Sequence, residues 1–271
     1  MTRGGPAVAH PRARDRATAH KTNVTEDFVG KTALVTGSTS GIGRVVAEQL
    51  VALGAHVIIS GRDKTRGDTV VDTIRATGGR ADFLAADLGQ IDSVRTLAAP
   101  PRIWQDTSTS WSTAPACSPS VPHHKWPSTS STPSSTSTCA PPTSWSPTWH
   151  PRMAERGGGA IVNISTMVAN FGQAGMSLYG ASKAAIQLLT KAWAAEFGPS
   201  GVRVNAVSPG PTATEGTASM QDLLNQMATV LPSRRVGTPA DVANAIVFLA
   251  SPAARRIHGA ILPVDGGRIA T

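Results

Sequence analysis

The sequence predicts an α/β fold: one doubly wound parallel sheet covered by helices on both faces. Three observations predict it. From Lys31 onward, short apolar runs alternate with longer runs of helical period. The first apolar run, Ala33-Leu34-Val35, passes through the glycine-spaced turn Thr36-Gly37-Ser38-Thr39-Ser40-Gly41-Ile42-Gly43 into the first helical run. The chain has 271 residues and no second copy of that turn, so its length is that of one large domain.

The elements follow in order. Strand one is Thr32 to Val35, and the helix from about Ile42 to Leu53 is closed by Gly54. Strand two is His56 to Ser60, and a helix around Thr65 to Ala76 stops at Gly78-Gly79. Strand three, Ala81 to Ala85, runs into Asp87-Leu88, and Ser93 to Ala99 begins another helix. After an interruption, Ala160 to Ser165 reads as a buried strand, Leu178 to Phe197 as a long helix and Val202 to Val207 as a strand. A polar stretch to about Met220 follows Pro209-Gly210-Pro211. The chain ends with a helix from Ala240 to Ala250, which Thr238 can cap, and a strand from Ala260 to Val264.

Composition excludes several function classes. The net charge of +8 and pI of about 10.3 are concentrated outside the periodic region. Within residues 1–22, Arg3, Arg12, Arg14, Arg16 and Lys21 stand against Asp15 alone, and the aperiodic stretch 1–27 that holds them reads as a disordered basic extension. No basic stripe is interleaved with aromatics, so nucleic acid is not an expected partner. No apolar run approaches the roughly 18 residues of a membrane span, and the N-terminus lacks an apolar signal core, so a cytoplasmic protein is expected. Cys117 and Cys139 form no disulfide framework and no metal-ligand spacing.

Two features carry chemistry. A strand ending in closely spaced glycines and feeding a helix exposes backbone N–H groups at the positive helix end, where a pyrophosphate can approach; this points to a dinucleotide. Tyr179 and Lys183 lie four residues apart on one helix face. A cation beside a phenol favours the phenolate, which makes Tyr179 a candidate general acid or base for an alcohol/carbonyl pair.

Taken together, the glycine turn, the strand end Asn163-Ile164-Ser165-Thr166, the Tyr179/Lys183 pair and the Pro209-Gly210 turn resemble the short-chain dehydrogenase/reductase family over residues 30–99 and 152–268. The resemblance implies a single Rossmann-type domain (28–271), a nicotinamide cofactor, a small alcohol or carbonyl substrate and an Asn-Ser-Tyr-Lys catalytic set. Tyr179 matches the tyrosine, and Lys183 the lysine that holds the nicotinamide ribose and lowers the tyrosine pKa. Thr166 takes the serine position, with Ser165 as the alternative hydroxyl. Gly37, Ser38, Thr39, Ser40, Gly41, Ile42 and Gly43 match the phosphate loop. Asp87 and Leu88 match the pair beside the adenine, and Pro209, Gly210, Thr212 and Thr214 the turn that meets the carboxamide. Members that use NAD usually carry an acid at the end of strand two. Here Gly61 and Arg62 stand there, and a guanidinium can pair with a 2′-phosphate, so NADP is expected, with NAD as the alternative.

Residues 100–151 depart from the family. They hold 11 of the 20 prolines, 5 of the 6 tryptophans and a dense Ser/Thr background, which predicts neither helix nor strand. The family requires here a fourth strand with an Asn-x-Ala-Gly motif and a helix with the catalytic asparagine. Synonymous codons exist for Asp106 to Cys117 that read HIDILVNSAGM in a neighbouring frame, a strand followed by that motif. Trp126 to Trp149 likewise yields an amphipathic helix with an asparagine at the overlap of Ser137 and Thr138. The segment therefore reads as out of frame between two compensating frameshifts; the alternative is a genuine Pro/Ser/Thr-rich insertion. As written, the chain is expected to lack strand four and to be a poorly folded or non-catalytic relative. Restored, it is expected to be an ordinary enzyme forming a homodimer or homotetramer.

Overall fold

The computed structural model describes residues 28–98, 110–114 and 153–271. The expectation for residues 1–27 and the asparagine expected at Ser137/Thr138 lie outside them. Seven parallel strands form one sheet in the order β3-β2-β1-β4-β5-β6-β7. They are β1 (Thr32–Thr36), β2 (His56–Gly61), β3 (Arg80–Ala85), β4 (Ser110–Ala114), β5 (Gly159–Ile164), β6 (Val202–Pro209) and β7 (Ile261–Val264). All residues of β1 and β6 are buried, as strands covered on both faces must be. The chain order reverses between β1 and β4, which opens a crevice at the carboxyl ends of the strands.

β4 corrects the sequence reading, which left no strand in 100–151. Ser110 pairs with Thr32 of β1, and Ala114 with Asn163 of β5. Buried strands on both sides would otherwise carry unpaired amides and carbonyls, and a ladder on each edge outweighs the polar composition of Ser-Trp-Ser-Thr-Ala. The strand falls inside the Asp106–Cys117 stretch.

Among the described residues six helices flank the sheet: α1 (Gly41–Ala52), α2 (Lys64–Ala76), α3 (Ile91–Ala98), α4 (Ser177–Phe197), α5 (Gln221–Ala228) and α6 (Pro239–Ala250). On one face, α1 and α6 bury Val46, Ala47 and Leu50 with Val242, Ala243 and Ile246 in the main core. Thr238 caps α6 as expected: its Oγ1 accepts from Asp241 N at 3.2 Å, and Asp241 accepts from Thr238 N at 2.8 Å. On the other face, Trp193 and Phe197 of α4 stack at 6.4 Å and pack with Val202 and Val204 of β6.

β6 also carries a buried cation that was not singled out from the sequence. The Arg203 guanidinium donates to Leu249 O (2.6 Å), Ala250 O (2.9 Å), Ser251 O (3.1 Å) and Ala254 O (3.2 Å), all at the C-terminal end of α6 or just beyond it. A helix C-terminus carries partial negative charge and unpaired carbonyls, so a fork of donors satisfies both at once. Burial lowers the Arg203 pKa below its ordinary value.

Candidate active site

The glycine turn sits at the crevice. Gly41 adopts φ +55°, a conformation side chains disfavour, where the chain enters α1. Ser40 at the helix N-cap makes no side-chain capping bond, and the first turn of α1 contains no acid. The positive end of α1 therefore stays open to an anion, as a dinucleotide pyrophosphate requires. Gly43 serves packing: a Cβ there would lie 2.5 Å from Gly37 O, so only glycine lets α1 approach the turn.

Ser38 departs from expectation. Its hydroxyl donates to Val35 O at 2.5 Å and accepts from Ser60 N at 3.0 Å, and its own N–H donates to Ser60 O at 3.1 Å. A fully buried residue with these bonds ties the turn to β2 and turns away from the ligand side. Thr39 stands against Gly61, where an added Cβ would lie 2.8 Å from Thr39 Cγ2.

At the end of β5 the structure separates the two candidate hydroxyls. Ser165 Oγ donates to Lys183 O at 3.2 Å and so anchors α4. Thr166 lies beside Tyr179, close enough for its side chain to favour the phenolate. Lys183 is 3 % exposed, and its Nζ donates to Ile164 O at 3.1 Å. Burial raises the Tyr179 pKa above the ordinary 10, with the Thr166 side chain a smaller opposing effect. In the ligand-free chain desolvation is the larger effect on the phenol. Tyr179 is the chain's one tyrosine, so a tyrosinate absorbance titration reads this group alone. The midpoint of the ligand-free protein is expected above 10; a midpoint well below 10 would restore the lysine effect.

A cavity of about 560 Å³ joins these groups. Its wall includes Gly37, Ser40 and Gly41–Gly43 of the turn, Ser165, Thr166 and Tyr179, and Pro209, Gly210, Thr212 and Thr214 after β6. Gly210 packs against the backbone: a Cβ would sit 2.6 Å from Asp265 Cα. The cavity continues under a flap made of a short 3-10 turn, Glu215–Met220, and α5. Arg62 is exposed at the end of β2, outside this wall, and Arg66 in the first turn of α2 is ion-paired to Glu215 of the flap. Asp87 and Leu88 also lie outside it; Asp87 Oδ1 accepts from Gly89 N at 3.0 Å, a local turn.

Asp265 escaped the sequence reading. Its buried carboxylate accepts from Gly267 N (2.9 Å) and Ile269 N (3.0 Å), fixing the C-terminal turn behind Gly210. The signal was available as an aspartate directly before Gly266-Gly267, the pattern of a side chain that bonds its own downstream backbone.

The family model described as short chain dehydrogenase matches residues 31–100, and that described as Enoyl-(Acyl carrier protein) reductase matches residues 141–268. A 2,5-dichloro-2,5-cyclohexadiene-1,4-diol dehydrogenase from Sphingobium indicum is 34 % identical over 249 residues, 89 % of this chain and 96 % of the relative. The chain belongs to the short-chain dehydrogenase/reductase family. Its sheet is accordingly of the Rossmann type, and the protein is an oxidoreductase acting on CH–OH or C=O groups with a nicotinamide dinucleotide. Two solved short-chain dehydrogenase/reductase structures show the likeness in three dimensions. One, a gluconate 5-dehydrogenase candidate from Beutenbergia cavernae with bound NADP, has 32 % identity, a TM-score of 0.80 and coverage of 92 % of this chain and 100 % of that one. The other, a 7α-hydroxysteroid dehydrogenase complexed with NADH and a 7-oxo bile acid, has 29 % identity, a TM-score of 0.76 and coverage of 90 % and 96 %. The two family models leave residues 101–140 unmatched. No helix among the described residues is long and apolar enough to cross a membrane.

Proposed function

We propose that this protein transfers a hydride between NADP(H) and a secondary alcohol or carbonyl substrate. The bound dinucleotide supplies or accepts the hydride; the chain supplies the proton path and the orientation. Tyr179 gives the proton to the carbonyl oxygen in reduction and takes it from the alcohol in oxidation. Thr166 holds the same oxygen through its hydroxyl, with Ser165 steadying α4 behind it. Lys183 positions the ribose beside Tyr179. The open N-terminus of α1 at Gly41, Ile42 and Gly43 takes the pyrophosphate, Pro209, Gly210, Thr212 and Thr214 face the carboxamide, and Asp87 and Leu88 flank the adenine. The observation that carries this reading is that Thr166 and Tyr179 stand together in the wall of the same cavity as the uncapped helix end.

Arg62 supports NADP over NAD: it stands exposed at the strand end where Gly61 removes the acid that ribose hydroxyls would need. Replacing Arg62 by glutamine is expected to raise the KM for NADPH about tenfold, the loss of one charge-assisted contact, and to leave that for NADH unchanged. Equal effects on both cofactors would remove the phosphate role.

The unmatched 101–140 favours a second reading for the chain as written, a dinucleotide-binding relative without turnover. A panel of secondary alcohols and ketones assayed with both cofactors separates the two, since binding without turnover selects the second. The same gap supports the frameshift reading, under which the restored protein is a cytoplasmic homodimer or homotetramer. The gene sequence decides this: neighbouring-frame codons over Asp106–Cys117 that do not spell a strand and Asn-x-Ala-Gly would end it.

A further inference from the structure

We infer that the substrate side of the cavity takes a neutral, predominantly apolar secondary alcohol or ketone and rejects carboxylated or phosphorylated ones. The inference rests on the reading of Thr166 and Tyr179 as the site of the reacting oxygen.

Among the described residues, none that lines the cavity is charged. Beyond Thr166 and Tyr179 the wall includes Val168, Met176, Met220, Leu223, Leu224 and Met227, with Gln173 and Thr217 as polar but uncharged neighbours. Met167 lines it too, so four of the chain's six methionines converge on one cavity. Flexible thioethers adapt to varied apolar shapes and offer an anion nothing. Cationic groups nearby are committed elsewhere: Lys183 to Ile164 O, Arg66 to Glu215, and Arg268 over the Phe171 ring at 4.6 Å.

Exposure points the same way. Met220 and Leu223 line the cavity yet remain 41 % and 45 % exposed. An apolar ligand gains affinity by covering such surface. A carboxylate placed there loses its hydration and meets no counter-ion among the described residues, and a buried charge without a partner is strongly disfavoured.

The test uses two ketones alike in ring and reacting carbonyl, 4-methylcyclohexanone and 4-oxocyclohexanecarboxylate, with NADPH. The neutral ketone is expected to show a kcat/KM at least about a hundredfold higher, the scale of an uncompensated charge. Met220→Lys, at a half-exposed position that tolerates a long side chain, is expected to raise the value for the carboxylate about tenfold or more and to lower that for the methyl ketone. Calorimetric binding of both ketones to the NADPH complex is measured in parallel. Preferential binding of the neutral ketone without turnover sustains the inference and removes the catalytic reading. Comparable kcat/KM or comparable binding for the two ketones overturns the inference, as does a Met220→Lys variant that shifts both equally.

Discussion

Replacing Tyr179 by phenylalanine is expected to lower turnover by about a hundred- to ten-thousandfold, the usual contribution of a positioned proton donor, while NADPH binding followed by fluorescence stays within about twofold of the parent. The phenol is largely buried and raised in pKa, and it stands beside Thr166, so the substitution removes one oxygen and leaves the apolar ring in place. Thr166→Ala is expected to act in the same direction and Thr166→Ser to recover most of the rate, because the hydroxyl and not the methyl can hold the reacting oxygen. The pH profile carries a sign. A phenol that titrates above 10 stays protonated at neutral pH, so carbonyl reduction is expected to hold steady through neutrality and fall in alkali, while alcohol oxidation rises with pH. A phenylalanine variant as fast as its parent would overturn the assignment.

Arg203→Met is expected to produce the largest loss of stability, about 3–5 kcal/mol, seen as a fall in denaturation midpoint of about 10 °C for a domain of this size. Methionine fills much of the volume but leaves the carbonyls of Leu249, Ala250, Ser251 and Ala254 without the donors they have now. Because α6 packs on α1, whose N-terminus opens on the cavity, loosening one helix end is also expected to weaken dinucleotide binding. Arg203→Lys keeps the charge but not the planar fork, and an intermediate loss is expected. A loss below about 1 kcal/mol for the methionine variant would show that water replaces the guanidinium at little cost.

The alternating strands and helices were legible because a two-sided parallel sheet writes itself as apolar runs, and boundaries such as His56–Gly61 and Ser177–Phe197 differ from the reading by one residue. Tyr179 and Lys183 were singled out because four-residue spacing puts them on one helix face, whereas Thr166 and the glycine turn were singled out by their place in the family's motifs. For Ser38, motif position says nothing of where the hydroxyl points, and its bonds to Ser60 form only once β1 and β2 are side by side. Arg203 and β4 escaped for a related reason. The partners of Arg203 lie 46 to 51 residues away, and β4 owes its state to two neighbouring strands rather than to its own composition.

The contact between position 61 and Thr39 bears on how such a protein could evolve. A change of cofactor preference by placing an acid after β2 drives the new Cβ against Thr39 before the carboxylate can be useful. Trimming Thr39 first gains nothing while position 61 remains glycine. A side chain at position 61 is therefore expected to be accommodated most readily alongside a smaller residue at position 39, so the two positions should vary together.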